Sequence, residues 1–217
     1  MHGRTAGEER GVQVLTREQM GIARETQQVQ NHWGALAPVQ AAELVRRDVI
    51  RRGSCLPTVW FCDRPVVPVV SWHLEALARR LDAGRGPMLY RSVLADRLSR
   101  GRDHLEPAVL RVEAFITLLP LSSARSALAA ASVYAPAVAA VPVPPGAGGW
   151  DAFECDYYGF TVAEVTTTGA QTVIEGLRRA KHRSGGIGHQ RRLMEEQLFD
   201  VAVRTGNLPA CDLSPYA

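Results

Sequence analysis

The chain has 217 residues, a formal net charge of +3 and 22% charged residues. That length buries a core without disulfide staples, and so mild a charge gives composition alone no claim to nucleic-acid or membrane-surface binding. The cysteines at 55, 62, 155 and 211 have neither Cys-x-x-Cys spacing nor histidine partners, which argues against structural zinc; with a polar start free of a secretory leader, a reduced, cytoplasmic setting is expected.

Residues 1–15 mix charges with glycines and read as a flexible arm. Thr16-x-x-Gln19 has capping-box form and opens a helix to Leu36, whose weak stripe of Met20, Ile22, Val29 and Trp33 suits a partner-contacting surface and a homo-oligomer. Pro38 starts a second helix with Val39, Ala42, Val45 and Val49 inward, ending at Gly53. Its other face, with Glu43, Arg46, Arg47, Arg51 and Arg52, reads most simply as solvated, with contact to phosphate or an acidic partner as the alternative. Residues 16–53 thus form a helical N-terminal segment, and 54–217 an α+β core within one compact unit.

Leu56 to Cys62 and Val66 to Val70 read as strands, the second confined to a sheet edge by Pro68. Ser71 caps a helix with Trp72, Leu74, Leu77 and Leu81 apolar. Residues 87–98 suit a helix or a strand equally. Val109 to Leu119 alternates as a half-buried strand, Ser122 to Ser132 is an Ala-rich helix, and Ala137 to Val143 a further strand, so a parallel crossover is expected. The uncharged run between Arg125 and Asp151 is broken by Pro136, Pro142, Pro144 and Pro145, which excludes a membrane-spanning helix there.

Residues 152–166 read as a β-hairpin. Thr172-x-x-Glu175 then opens a helix with Val173, Ile174, Leu177 and Ala180 on one side, and a last helix carries Leu193, Met194, Leu198, Val201 and Ala202. The expected fold is α+β: N-terminal helices, a central mixed β-sheet ending in the 152–166 hairpin, and two C-terminal helices.

Two stretches could carry chemistry. In the hairpin, alternation puts Asp156 and Glu164 on neighbouring strands, where two carboxylates could hold Mg²⁺ or act as general acid and base. With Glu154 they equally suit a solvated hairpin face. The second stretch is Lys181-His-Arg-Ser-Gly-Gly-Ile-Gly-His-Gln-Arg-Arg192. Here Gly185, Gly186 and Gly188 let backbone N–H groups approach an anion, and Lys181, Arg183, His189, Arg191 and Arg192 supply donors for phosphate. The spacing is neither that of a Walker loop nor of a dinucleotide fingerprint, and a plain basic inter-helix loop fits it as well.

Glu154-Cys-Asp156, a short hairpin and Glu164-Val-Thr166 followed by a helix resemble the core of the PD-(D/E)XK nuclease superfamily. The resemblance implies divalent metal on Asp156 and Glu164. Thr166 stands at the third catalytic position, where the family has the lysine that supports the attacking water. Lys181, the only lysine, lies 15 residues beyond Thr166, about a dozen of them and roughly 15 to 18 Å along a helix axis, too far to replace it. The resemblance therefore implies a nuclease-like core, degenerate in catalysis, that binds nucleic acid or another phosphate-bearing ligand. Two other readings stand beside it. One is a bacterial small-molecule enzyme with Glu164 or Asp156 as acid-base residue in an aromatic-lined pocket and Arg183 or Arg191 holding an anionic substrate. The other is a non-catalytic assembly protein.

Overall fold

A computed structural model describes residues 27–61, 64–101, 105–143, 150–176 and 188–210, with backbone alone for 150–152 and 188. The expected arm, the start of the first helix, and Lys181, Arg183, Gly185 and Gly186 lie outside the described residues.

The chain forms a mixed sheet with helices on both faces. Helix α1 (27–33) leads to α2 (Pro38–Val45), which runs on into a π-helical turn, Arg46–Ile50. The strands are β1 (Ser54–Cys55), β2 (Val59–Phe61), β3 (Arg64–Trp72), β4 (Leu110–Thr117), β5 (Ala137–Val141), β6 (Thr161–Val165) and β7 (Ala170–Ile174). Their order is β1-β3-β4-β5-β6-β7, with β2 also on β3. β4, β5 and β6 are mutually parallel and the remaining pairs antiparallel. Helices α3 (Leu74–Asp82), α4 (Arg91–Ser99), α5 (Leu121–Ser132), α6 (Trp150–Tyr158) and α7 (Gly188–Thr205) complete the described elements.

The composition of β5, Ala-Val-Ala-Ala-Val, explains its central place. All five residues are buried, as a strand covered on both faces requires. Val141 and Ala139 join a core with α5, α6 and α7, while Val138 and Ala140 join a second core with α1 and α2. Helix α5 buries Ala124, Ala127, Leu128 and Ala131, the spacing of one helical face, so its small side chains bring it close over β4 and β5. The expected crossover unit is present.

Several expectations change. β3 is an interior strand, not an edge, although it contains Pro68. On the side away from β4, β2 pairs with Arg64 to Val66 and β1 with Val69 and Val70, so Pro68 faces the break between them. Its carbonyl accepts the Leu56 N–H at 2.9 Å on that same side, so the missing donor falls just past the end of β1 and spares the ladder with β4. Trp72 belongs to β3 rather than to the following helix, which starts after His73 and buries Ala76, Leu77 and Arg80 while Leu74 and Leu81 stay exposed. Residues 91–99 resolve the open choice as helix α4.

The largest change concerns the hairpin. Trp150 to Tyr158 is helix α6, because β5 and β6 are parallel and the chain must cross back between them. The sheet does end in a hairpin, but it is β6 and β7, joined through Thr166 to Gly169. Thr172, expected as a helix cap, is paired with Ala163 in that ladder. Among the described residues the C-terminal helix is α7 alone, the remainder of the helix expected before it lying outside them. The described part of α1 packs on its own chain: Trp33 is buried and its indole donates to the Leu118 carbonyl at 2.8 Å, while Gln28 donates to Ser123 at 3.2 Å. No helix among the described residues is long and apolar enough to cross a membrane.

Candidate functional site

The carboxylates singled out in the sequence do not stand on the two strands of one hairpin. Asp156 is exposed on α6 instead of standing on a strand beside Glu164. Glu164 is half-buried on β6 and accepts a hydrogen bond from Gln171 Nε2, its cross-strand neighbour, at 2.7 Å. Glu154 pairs with Arg125 at 2.6 Å, tying α6 to α5. Thr166 opens the β6–β7 turn, its N–H and hydroxyl both bonding the Gly169 carbonyl, at 2.8 and 3.2 Å. Asp156 and Glu164 therefore lack the neighbouring strands on which a shared Mg²⁺ was expected, and among the described residues no group of three or more His, Cys, Asp or Glu could hold a metal ion.

The basic stretch divides. Gly188 opens α7 and His189 is half-buried in its first turn. Arg192 turns into a buried ion cluster, which removes it from the expected phosphate contacts. It pairs with Glu196 at 2.6 Å and donates to the Glu106 and Pro107 carbonyls at 2.9 and 3.2 Å. Arg80, from α3, meets the same Glu196 through two bonds of 2.8 and 3.0 Å. Burial pushes the Arg192 guanidinium below its usual range, and Glu196 opposes that shift.

Arg191 faces elsewhere, into a cleft of about 680 Å³. The cleft lies across the end of the sheet where β4, β5 and β6 begin, and Ile50, Arg52, Arg111, Glu113, Tyr134, Tyr158, Thr161, Thr172 and Glu175 also line it. Its walls collect the irregular backbone of the fold. On one side α2 ends in the π-turn, closed by the Arg51 N–H bonding the Arg46 carbonyl at 2.7 Å, and Arg51 itself has φ +63°. A non-glycine residue in the left-handed region is uncommon and costs energy, and π-turns occur often at functional sites.

The floor holds a β-bulge. Val69 pairs with Ala114 but Val70 with Val112, which leaves Glu113 as the extra residue of β4. Leu110 and Val112 consequently pack in one core, Ala114 and Ile116 in the other, while the Glu113 side chain is directed between two guanidinium groups. Arg52 approaches it at 3.3 Å and Arg111 at 3.8 Å. Its side chain is only 9% exposed, against 55% for Arg52 and 59% for Arg111. The carboxylate holds the two cations from beneath and leaves them open to solvent. A second bulge lies at the opposite wall, where Val173 is the extra residue between the pairs of Ile174 and Thr172.

Beyond β7 the chain passes tightly over the start of β6. A Cβ on Gly176 would stand 2.6 Å from both the Gly159 carbonyl oxygen and the Thr161 nitrogen, so only glycine fits. The Gly176 N–H donates to the Thr161 hydroxyl at 3.2 Å. Arg191 completes the rim, paired with Glu195 at 3.2 Å; burial pushes the Glu195 carboxyl above the usual carboxylate range and Arg191 counteracts it. Forked guanidinium donors at three points, hydroxyls from Thr161 and Thr172, and two tyrosine rings suit a ligand that combines phosphate with an apolar or aromatic part.

Sequence reasoning placed Arg191 among the ligand-binding residues, assigned Arg52 to a face read first as solvated and alternatively as a phosphate contact, and read Arg111 and Glu113 as the polar side of a strand. No spacing signals the bulge at Glu113, since the apolar residues at 110, 112, 114 and 116 suit an uninterrupted strand. Compared with protein-family models, curated proteins and solved structures, the chain finds no match.

Proposed function

We propose that the protein binds a phosphate-bearing ligand, foremost a nucleic acid, in the cleft at the start of β4, β5 and β6. The observation that supports this reading is the convergence of Arg52, Arg111 and Arg191, from three separate segments, on a cleft bordered by a π-turn, a left-handed Arg51 and two bulges. Such backbone costs stability, and ligand sites are where folds retain it. Binding, not hydrolysis, is the role assigned, because Asp156 lies on α6 rather than on a strand beside Glu164, and Thr166 stands where a lysine would support the attacking water. The degenerate-nuclease reading is kept only in its binding half.

A second reading has one observation in its favour. Glu113, nearly buried in a cleft beside Tyr134 and Tyr158, would serve as the acid-base residue of an enzyme acting on a small anionic substrate, in place of Glu164 or Asp156.

Titrating a labelled oligonucleotide over a range of salt concentrations separates the two. Phosphate contacts release counterions, so log affinity should fall linearly with log salt, and Arg111→Ala should lower the slope by about one. A salt-independent affinity, or an Arg111→Ala slope equal to wild type, would remove the phosphate reading.

A further inference from the structure

We propose that the nucleic acid held by this cleft is single-stranded and that its unpaired bases stack on the aromatic face of α6, with Tyr157 as the principal platform. The proposal rests on the phosphate reading of the cleft and adds to it the form of the ligand and a second contact surface.

Helix α6 exposes large rings along one side. Tyr157 is 71% exposed, Phe153 58% and Tyr158 49%. Phe153 and Tyr157, one turn apart, stack with ring centres 6.2 Å apart and planes inclined by 21°. Tyr157 meets Tyr158 edge to face at 5.1 Å, and Tyr158 stacks on Phe160 at 5.8 Å. Phe160 is 3% exposed, so the ladder is anchored in the core at one end, while Tyr157 stays exposed to solvent. The rings are held in place by one another, and little conformational freedom remains to be lost when a base settles on them.

Position connects this ladder to the cationic cleft. Tyr158 belongs to both, as a wall of the cleft and as the ring next to Tyr157. The cleft that holds Arg52, Arg111 and Arg191 therefore shares Tyr158 as a common wall with the exposed rings of α6. Cationic grooves that track a backbone beside rings that accept bases are how single strands are held without regard to sequence. A duplex can offer the phosphates but not the faces of its bases, which are already stacked on one another. The rival occupant of an exposed aromatic helix face is another protein, but a protein partner gives no account of the three arginines in the cleft that shares Tyr158 with that face.

The test compares four probes on the full-length protein by fluorescence anisotropy, directly or in competition: a short oligothymidylate, an abasic phosphodiester chain of the same length, a duplex and thymidine monophosphate. Wild type should prefer the oligothymidylate to each of the others. Tyr157→Ala should weaken oligothymidylate binding by about fivefold to a hundredfold, the range for loss of one stacked base, and leave the abasic chain unaffected. Tyr157→Phe should restore most of the loss. Because Tyr157 lies on the surface, its truncation does not endanger folding.

If Tyr157→Ala leaves the oligothymidylate unaffected, or the duplex or the mononucleotide binds as tightly as the single strand, the stacking proposal fails. In that event a loss of abasic-chain binding in Arg111→Ala keeps the phosphate reading. If Arg111→Ala binds every probe like wild type, or no probe binds, both fail.

Discussion

Replacing Glu196 by alanine should destabilise the protein by about 3 to 5 kcal/mol, the cost of breaking a buried ion pair by removing one partner. Glu196 is 2% exposed and sits between Arg80, 3% exposed, and Arg192, 7% exposed. Its carboxylate takes two hydrogen bonds from Arg80, at 2.8 and 3.0 Å, a third from the Met88 N–H at 2.9 Å, and the ion pair with Arg192 at 2.6 Å. The truncation leaves two guanidinium groups in the interior. Their remaining partners are the Gly86 carbonyl and the Glu106 carboxylate for Arg80, and the Glu106 and Pro107 carbonyls for Arg192. Glu106 is also engaged by the exposed Arg85, so it cannot neutralise both.

At the scale of a chain this size, where 1 kcal/mol moves the melting temperature by about 2 to 4 °C, the midpoint should fall by roughly 6 to 20 °C. Urea denaturation followed by tryptophan fluorescence gives the free energy directly. The triple variant Arg80→Met, Glu196→Leu, Arg192→Met removes both cations with the anion and should recover most of the loss, since well-packed apolar groups replace a buried ion cluster at little cost. A loss below about 1 kcal/mol for Glu196→Ala, or a triple variant no better than the single one, would refute the view that Glu196 is the main compensation for the two buried guanidinium groups.

Three further outcomes follow from single sites. Gly176→Ala should cost about 1 to 3 kcal/mol in a chemical melt, because its Cβ would meet two backbone atoms at 2.6 Å that cannot move independently; a wild-type midpoint would show that the crossing is looser than described. Asp48 accepts from Arg47 at 2.7 and 2.8 Å and from the Ala170 N–H at 2.9 Å, which holds its carboxyl down from 3.8 to about 2. Its folded value lies below its unfolded one, so its contribution to stability is present above the unfolded value and fades as pH falls from about 4 towards 2. Asp48→Asn should flatten that part of the stability profile, and an Asp48 carboxyl titrating by NMR near its ordinary value would contradict the assignment. Burial pushes the Cys55 thiol up to about 12, with Glu43 acting in the same direction, so at neutral pH it should resist alkylation in the folded protein and react once unfolded. Peptide mass spectrometry reads this, and rapid native labelling at Cys55 would count against it.

The misread hairpin shows where sequence patterns stop deciding. In Trp-Asp-Ala-Phe-Glu-Cys-Asp-Tyr-Tyr, residues 153, 155 and 157 alternate like a strand, while 153 and 157 also sit one helical turn apart, and so short a stretch supports both periods. The arbiter is remote: β6 pairs parallel to β5, and a parallel neighbour obliges the intervening chain to cross back as α6. Arg191 and Arg192 make a similar point. Adjacent residues on a helix point about 100° apart, so one reaches the cleft and the other the buried cluster. Nothing in the basic run Gln-Arg-Arg distinguishes them before Glu196 and Arg80 are in position.

What the sequence by itself determined is the α+β class and the β4–α5–β5 crossover, because apolar spacing within one element reports directly which face it buries. It also marked α7 and the start of α2 at Pro38, through helical spacing and local backbone chemistry. Only the tertiary structure decided where chemistry could reside. The cleft brings together residues as distant in the chain as Ile50, Glu113, Thr172 and Arg191, through a mixed sheet whose central pairings are non-local and through bulges that change a strand's facing without changing its composition.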